Sequence, residues 1–468
     1  MMGFQVVVLW SDVLIWLLVA AGIGLGLVIA RNEPLLAAWR RVGGSRTGMA
    51  AATVLLAFAL IGLLDSLHYR LQLPGKAGQK ATYAVEVLSV LDALAAPLRT
   101  RNEKTYSEPF ATRLYAKETL EVPGGGQVRD YPRLRYGGGH LGDRESEVAA
   151  DVGLAVFRAA ALAFVAWWGA AALAAGLVAR YRGVSRAEAW RRIWRGETAF
   201  AWNAVLLALG GLLLTLFPLF SLAASYHVFG TDKVGQDVLY QVLKSVRTGL
   251  IIGLVTTLVM LPMAVLLGIV AGYFRGWADD VIQYVYTVLN SIPGVLLIAA
   301  AVLMMQVVID THPQWFSTAA ERADLRLLAL CFILGITSWT GLCRLLRGET
   351  LKLRELEYIQ AARAFGVSHR RIILRHILPN LMHIVIIALV MDFSGLVLAE
   401  AVLSYVGIGV DPTMVSFGTM INNARMELGR EPVVWWSLAA AFAAMFILVL
   451  AANLFADAVR DAFDPRAA

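Results

Sequence analysis

The residues whose types and spacing best suit a specific contact lie in one basic stretch, from Arg354 to Asn380. Small and aromatic residues recur there at helical spacing, at Tyr358, Ala361, Ala362, Phe365 and Gly366. This spacing predicts a short helix with one small, partly apolar face, which the glycine can end. Such a face between arginines suits noncovalent docking into a groove on another protein, and it is poorly suited to burying a core of its own.

A second set of candidates lies in the apolar segment Leu381–Tyr405. Glu400 and Asp392 stand eight residues apart in it, which is about 80° apart around a helix. Burying a carboxylate inside a membrane is costly, so such residues usually face a cavity or a partner. Glu400 has two open interpretations, a role in subunit contact or gating, and a water-facing acid at the outer interface. Asp392 stays unassigned.

The sequence contains no recognisable nucleotide, metal or redox site. Its one Gly-Lys pair, Gly75-Lys76, is followed by Ala77 and is therefore not a phosphate-binding loop. The histidines show no metal-ligand spacing on one helix face. Cys331 and Cys343 lie roughly 18 Å apart along a predicted helix, too far for a disulfide. We predict that this chain binds no metal and no cofactor.

Composition identifies the elements that must position these residues. Hydrophobic residues make up 59% of the 468 and charged residues 16%, which indicates an all-α polytopic membrane protein. The net charge of +7 is not a nucleic-acid signal, because the basic residues cluster in short loops, where they set topology and meet anionic headgroups. Nine segments are long and apolar enough to span: Val6–Ala30, Met49–Leu64, Val152–Val178, Ala199–Leu222, Thr248–Tyr273, Val281–Met305, Leu325–Leu346, Leu381–Tyr405 and Val434–Phe455. We expect Pro218, Pro262 and Pro293 to kink their spans.

The spans divide the chain into four predicted parts. Residues 1–64 hold two spans, and 65–151 form a polar extracytoplasmic domain in which Ala84–Leu98 predicts an amphipathic helix. Residues 152–198 hold the third span and a basic loop, and 199–468 hold the last six spans. The arginines of loops 31–46 and 180–195 predict a cytoplasmic position. Counting nine spans then puts 344–380 and the C-terminus in the cytoplasm and the N-terminus outside.

Several strings resemble a known family. Ala361-Ala362, Gly366 and Leu378-Pro379 resemble the cytoplasmic coupling loop of ABC-importer permeases, with Gln360 and His376 in place of the usual residues. Further strings resemble the second permease subunit of oligopeptide and dipeptide importers: His227–Asp232, Gly235–Leu239, Gly272–Phe274, Asp279-Asp280, Arg347–Glu349, Ala399–Ala401, Leu403–Gly409, Asn453–Asp461 and Asp464–Arg466. The resemblance covers about residues 200 to 466. It departs from the family at Val228, Gln236, Ser245, Tyr284 and Thr287.

The resemblance implies a six-helix type I permease core with a coupling loop at 347–380, preceded by three extra spans and the outer domain. It implies a heterodimer with a second permease, two ABC ATPases that carry ATP and Mg, an extracytoplasmic substrate-binding protein and a bacterial inner membrane, with no nucleic acid. The chain itself would not be an enzyme, and the substrate would be peptides or peptide-like solutes. Contact with the ATPases would fall to Glu357, Gln360, Ala361, Ala362, Arg363 and Gly366. Permease contact or gating would fall to Glu400, Gly407 and Gly409.

Two other functions are compatible with a polytopic protein. A membrane enzyme acting at the outer face would need clustered titratable residues in the spans, and they are scattered. A scaffold or sensor with a ligand-binding outer domain and a degenerate permease core agrees with the departures at Gln236, Gln360 and Tyr284. Under the permease interpretation, we expect residues 65–151 to help seat the substrate-binding protein.

Overall fold

The computed structural model describes residues 3–73, 82–122, 126–142, 144–316 and 318–463. Its helices are α1 Trp10–Arg31, α2 Glu33–Gly44, α3 Arg46–Asp65, α4 Val90–Leu94, α5 Ala96–Thr100, α6 Val148–Arg182, α7 Arg186–Arg195, α8 Trp202–Ala223, α9 Val238–Phe274, α10 Trp277–Ser291, α11 Gly294–Thr311, α12 Ala319–Ser338, α13 Thr340–Arg354, α14 Glu357–Ala364, α15 His369–Ile372, α16 Leu378–Tyr405, α17 Phe417–Glu427 and α18 Trp436–Phe463. Its strands are β1 Phe4–Val7, β2 His68–Leu71, β3 Leu88–Ser89, β4 Glu118–Val122 and β5 Gly126–Asp130.

The described residues contain nine helical segments long and apolar enough to cross a membrane. The predicted all-α class and the number of spans are therefore confirmed. Two of these segments are composite, since α12 and α13 together give one, and the helical run from His369 to Tyr405 gives another. The predictions that rest on Gly75-Lys76 and on Asp464–Arg466 lie outside the described residues.

The predicted span Val281–Met305 is wrong in its bounds. Helix α10 ends at Ser291 and α11 begins at Gly294, with Pro293 as the residue that precedes it. Proline has no N–H to donate and its ring obstructs the preceding turn, so the helix is interrupted rather than kinked. Pro218 and Pro262, by contrast, lie inside the continuous helices α8 and α9.

The start of the first predicted span is also different. Residues Phe4–Val7 form β1, which pairs antiparallel with β2, and the helix begins only at Trp10. Asp12, buried in the first turn of this helix, accepts a hydrogen bond from the Leu9 N–H at 3.3 Å. A carboxylate in this position neutralises the positive N-terminal end of the helix, which explains where the helix starts.

The chain folds into two compact units. The first comprises the described residues of Met1–Val8, Ile29–Thr248 and Val415–Phe455. In it, helix α6 presents a row of buried small residues to α7 and α8: Ala171, Ala174, Ala175 and Ala179. Trp167 on the same helix donates from Nε1 to the backbone oxygen of Leu206 at 2.7 Å. Small side chains allow these helices to approach closely, as is usual in membrane bundles.

The polar segment of this unit has more strand and less helix than the sequence suggests. Strand β2 pairs with both β1 and β3, and β4 and β5 form a separate antiparallel hairpin. The helix predicted over Ala84–Leu98 is wrong in extent, because Leu88–Ser89 is a strand and the helical part is broken at Ala95 into α4 and α5. Ser89 caps α4 through a capping box with Asp92, which fixes the start of that helix.

A buried ionic cluster holds this polar segment against the chain that follows α8. His227 lies between two carboxylates, with Nδ1 2.7 Å from Asp237 Oδ2 and Nε2 3.4 Å from Glu103 Oε1. Glu103 also accepts the backbone N–H groups of Arg135 and Tyr136 at 2.9 and 2.7 Å. The three side chains are nearly inaccessible to solvent, so the chain around Glu103 is packed against the string that contains His227 and Asp237.

The electrostatics of this cluster follow from its geometry. Burial alone would raise the pKa of Glu103, but hydrogen bonds from His227 and three backbone N–H groups outweigh burial and lower it to about 2. Burial likewise would lower the pKa of His227, but Asp237 and Glu103 outweigh it and raise that pKa to about 9. At neutral pH the imidazolium therefore donates to both carboxylates.

The second unit comprises Leu9–Val28, Gly249–Met414 and the described residues from Ala456 onward. A large buried cluster in it joins the second half of α9 to α13, α14 and the start of α16. Helices α9 and α13 meet at Gly272, where an added Cβ would lie 2.6 Å from the Cβ of Thr350. This cluster supports the loop that contains the first set of candidate residues.

Candidate functional site

The stretch from Arg354 to Asn380 forms a short helix flanked by turns, as the sequence predicts. Helix α14 occupies Glu357–Ala364 and begins with Glu357, whose charge suits the positive end of the helix. Gly366 ends it with φ of +73°, while the Val367 N–H bonds to the Ala362 carbonyl and the Gly366 N–H to the Arg363 carbonyl. This is a Schellman motif, in which the left-handed residue is most easily a glycine.

One face of α14 is fixed to the second unit. Ile359 is fully buried in the large cluster and Ala362 packs partly against it. Tyr358 Oη accepts a hydrogen bond from Asn380 Nδ2 at 3.1 Å, which ties the helix to the first turn of α16. The helix is therefore held by its own chain on one side.

The opposite face of α14 is open. Glu357, Gln360 and Ala361 are exposed on it, as is Gly366 just after the helix. Arg363 is also exposed, but it follows Ile359 by four residues and lies over the Tyr273 ring, at the edge of the packed face. Phe365 is 87% exposed, unusual for an aromatic ring beside a well-packed helix. The two alanines thus differ, since Ala361 lies on the open face and Ala362 on the packed face.

Polar contacts brace this loop against the end of α9. Arg275 pairs with Glu355 at 2.6 Å, and Arg354 donates from Nη1 to the Tyr273 carbonyl at 2.8 Å. Tyr273 Oη lies 2.8 Å from His369 Nδ1. Gln360, which stands where the resembled family has an acid, donates to the Glu355 carbonyl at 3.1 Å. The loop is thus attached at both ends of α14.

The second candidate set forms a continuous chain of contacts at the end of α16. Glu400 is 1% exposed, so the water-facing interpretation is wrong for this chain, and its Oε1 accepts a hydrogen bond from Ser404 Oγ at 2.6 Å. Gly407, with φ of +85°, ends the helix. A Cβ on Gly409 would lie 1.9 Å from Ser404 Oγ. Any side chain at Gly409 would therefore displace the serine that binds Glu400.

A small cavity of about 50 Å³ adjoins this helix end. It is lined by residues 407–412 and by α11 and α12, including Arg326. Arg326 Nη1 donates to Asp411 Oδ2 at 2.6 Å, and a second ion pair links the same guanidinium to Asp310. Burial alone would raise the pKa of Asp411, but hydrogen bonds from Thr413 and the charge of Arg326 lower it.

Sequence reasoning missed this ion pair. Arg326 stands one residue inside the predicted span Leu325–Leu346, and Asp411 lies just after the string Leu403–Gly409. An arginine at the end of an apolar segment calls for an acidic partner. The partner lies 85 residues away in sequence, so only the fold identifies it.

Comparison with known proteins agrees with these sequence strings. The family described as binding-protein-dependent transport system inner membrane component matches residues 264–468. The oligopeptide transport system permease protein OppC of Mycobacterium tuberculosis (strain ATCC 25618 / H37Rv) is 33% identical over 239 residues, 51% of this chain and 76% of that protein. The glutathione transport system permease protein GsiD of Pectobacterium atrosepticum is 34% identical over 245 residues, 52% of this chain and 74% of that protein.

Other similar proteins follow the same pattern. The dipeptide transport system permease protein DppC of Lactococcus lactis subsp. cremoris is 30% identical over 241 residues, 52% of this chain and 64% of that protein. A solved structure of the MetNI methionine ABC transporter has a TM-score of 0.36 at 18% identity, covering 48% of this chain and 96% of that one, which is too distant to assign a fold. From the identity and coverage shared with the curated permeases, this chain belongs to the family of binding-protein-dependent transport system inner membrane components, among the oligopeptide and dipeptide permeases.

Proposed function

We propose that this chain is one permease subunit of a binding-protein-dependent ABC importer, and that with a second permease it forms a path for peptides or peptide-like solutes. The observation that carries the proposal is α14, a helix packed on one face and open on the other. The similar proteins are named as oligopeptide, dipeptide and glutathione permeases, which supports a peptide-type substrate.

Helix α14 is suited to transmit a displacement. A partner that held its open face would contact Ala361 and Phe365, with Glu357, Gln360, Arg363 and Gly366 at the edges. Because Ile359 attaches the helix to the large buried cluster and Tyr358 ties it to the first turn of α16, movement of α14 would carry α9, α13 and α16 with it. Ala362 would contribute from the packed side, by fixing the helix rather than touching the partner.

The partners follow from this mechanism. ATP and Mg would bind to two ABC ATPase subunits, and the open face of α14 would seat on one of them. An extracytoplasmic substrate-binding protein would deliver the solute on the opposite side of a bacterial inner membrane. With nine spans, a cytoplasmic α14 requires a cytoplasmic C-terminus and an N-terminus outside, which the arginine-rich loops support.

Glu400, Gly407 and Gly409 would act at the other end of α16 from the coupling loop, in permease contact or gating. Their chain of contacts is buried and has little room to adjust, because Gly409 allows no side chain beside Ser404. The predicted outer domain, residues 65–151, is extracytoplasmic by the count of spans and would help to seat the substrate-binding protein. Its Glu103 is packed against His227.

The test begins with the partners. The tagged full-length chain, purified from its native membranes in mild detergent, should bring a second permease and two ATPases. The ATPase rate of that complex in liposomes should fall at least tenfold with Ala361→Arg, and should be unchanged with Ala187→Arg, an equally exposed alanine on α7. A chain that purifies alone, or an unchanged rate with Ala361→Arg, would favour the scaffold or sensor alternative.

A further inference from the structure

Helices α2 and α7 are both short connectors between two membrane spans. Helix α2 joins α1 to α3, and α7 joins α6 to α8. Both are amphipathic. On α2 Val42 is buried while Arg41 is exposed, and on α7 Ile193 is fully buried while Arg191 is exposed. The apolar face of each helix is therefore packed on its own chain and its arginines point outward, while the spans at both of its ends keep it next to the membrane surface.

The two helices belong to one surface. The Ala201 N–H donates to the Gly43 carbonyl at 2.8 Å, and the Phe200 ring lies where a side chain on Gly43 would project. The guanidinium of Arg46 lies beside Gly196, 2.9 Å from where a Cβ would stand. We call residues 31–46 and 180–197 together the arginine platform.

The charge of the arginine platform is strongly one-sided. It holds three glutamates and no lysine. Its ten arginines are Arg31, Arg40, Arg41, Arg46, Arg180, Arg182, Arg186, Arg191, Arg192 and Arg195. Arg192 pairs with Glu188 within α7, so one of these charges is already matched. Arginine presents a planar fork of donors that matches a phosphate group, which lysine does not.

A cluster of tryptophans packs beside the arginines of α7. Trp168 of α6 stacks on Trp190 of α7, with centroids 5.2 Å apart and planes 6° apart. The ring centroid of Trp194 lies 5.8 Å from that of Trp190 and 6.4 Å from that of Trp167. Indole rings concentrate at the level of lipid headgroups, where one part is apolar and the N–H is wet. A bilayer whose headgroups met these rings would therefore bring its phosphates to the α7 arginines.

We propose that the arginine platform is a binding surface for the phosphates of anionic phospholipids in the adjoining leaflet. The bilayer is the occupant because chain connectivity already holds both helices at its surface. A nucleic acid fits less well, because the tryptophan rings stack on each other and do not offer a face on which nucleic-acid bases could stack. The platform precedes residue 199 and lies outside the family-matched residues 264–468. It would therefore be a lipid contact of the part of the chain that precedes the predicted permease core.

The experiment uses the full-length chain in phosphatidylcholine bilayers with a trace of spin-labelled lipid. Electron paramagnetic resonance gives the preference of the protein for labelled phosphatidylglycerol over labelled phosphatidylcholine. Replacing Arg40, Arg41, Arg191 and Arg195 by glutamine should lower that preference at least about fivefold. Replacing the same four by lysine should retain only part of it, since the charge persists but the planar fork of donors is lost. High salt should weaken the wild-type preference.

The matched control replaces four exposed arginines of the polar segment, Arg129, Arg133, Arg135 and Arg144, by glutamine. This variant has the same change in net charge and should keep the wild-type preference. The proposal is overturned if the platform variant keeps that preference, if the control loses as much, or if the wild type does not distinguish the two lipids. In the last case the arginines only orient the spans.

Discussion

Arg347 and Asp279 form a two-point ion pair between α13 and α10. Arg347 donates from Nε to Asp279 Oδ1 at 2.5 Å and from Nη2 to Oδ2 at 2.7 Å. Both residues are mostly buried, and both belong to strings that resemble the permease family. Arg347 belongs to α13, the helix directly before α14 in the chain. The pair therefore fixes α13 to α10 just ahead of the loop that leads into α14.

Removing one partner of this pair should destabilise the second unit. Asp279→Asn leaves a partly buried guanidinium without its charged acceptor and should cost about 2 kcal/mol of unfolding free energy. Asp280→Asn, at the exposed neighbouring acid, is the matched control and should change little. Thermal unfolding in detergent measures both. Equal melting temperatures for the two variants would contradict the structural role of the pair.

The cluster of Glu103, His227 and Asp237 predicts a pH optimum of stability. The pKa of His227 is raised from 6.5 to about 9, so its contribution is complete below pH 6.5 and is lost as pH rises through 9. The pKa of Glu103 is lowered from 4.5 to about 2, so its contribution is complete above pH 4.5 and is lost as pH falls through 2. The contribution of this cluster to the melting temperature should therefore be greatest between pH 4.5 and 6.5.

A histidine variant isolates this effect. His227→Asn should lower the melting temperature at about pH 6 and flatten its decline between pH 6.5 and about 9. His312→Asn, which changes a histidine outside the cluster, should leave the profile unchanged. If the His227→Asn profile stays parallel to that of the wild type across this range, the imidazolium does not stabilise the fold.

The sequence was sufficient for what depends on local patterns. Apolar runs predicted nine spans, and the spacing of Tyr358, Ala361 and Gly366 predicted α14 and its end. It could not predict which residues meet across the chain. His227 and Glu103 are 124 residues apart, and Arg326 and Asp411 are 85 apart. It also could not show that Ala361 and Ala362 lie on different faces, because that depends on the cluster around Ile359.

The end of α14 should depend on glycine at position 366. An alanine there must adopt φ of +73°, which costs about 1–2 kcal/mol, and the Schellman turn should loosen. We expect Gly366→Ala to lower the ATPase rate of the assembled complex several-fold while substrate-binding protein affinity is kept. Gly348→Ala is the control, since that glycine lies within α13 with open space around it. Equal ATPase rates for the two variants would show that coupling does not depend on how α14 ends.

The contact between Gly409 and Ser404 predicts a gating defect at the other end of α16. Gly409→Ala must move Ser404, because the added carbon would lie 1.9 Å from its hydroxyl oxygen, and Glu400 would then lose that hydrogen bond. Transport by the reconstituted complex should fall while assembly and expression persist, and Ser404→Ala should give a similar loss. Gly395→Ala, in the same helix with no atom within 4 Å of the new carbon, should transport normally. A Gly409→Ala protein with wild-type transport would mean that the buried Glu400–Ser404 contact only stabilises the helix.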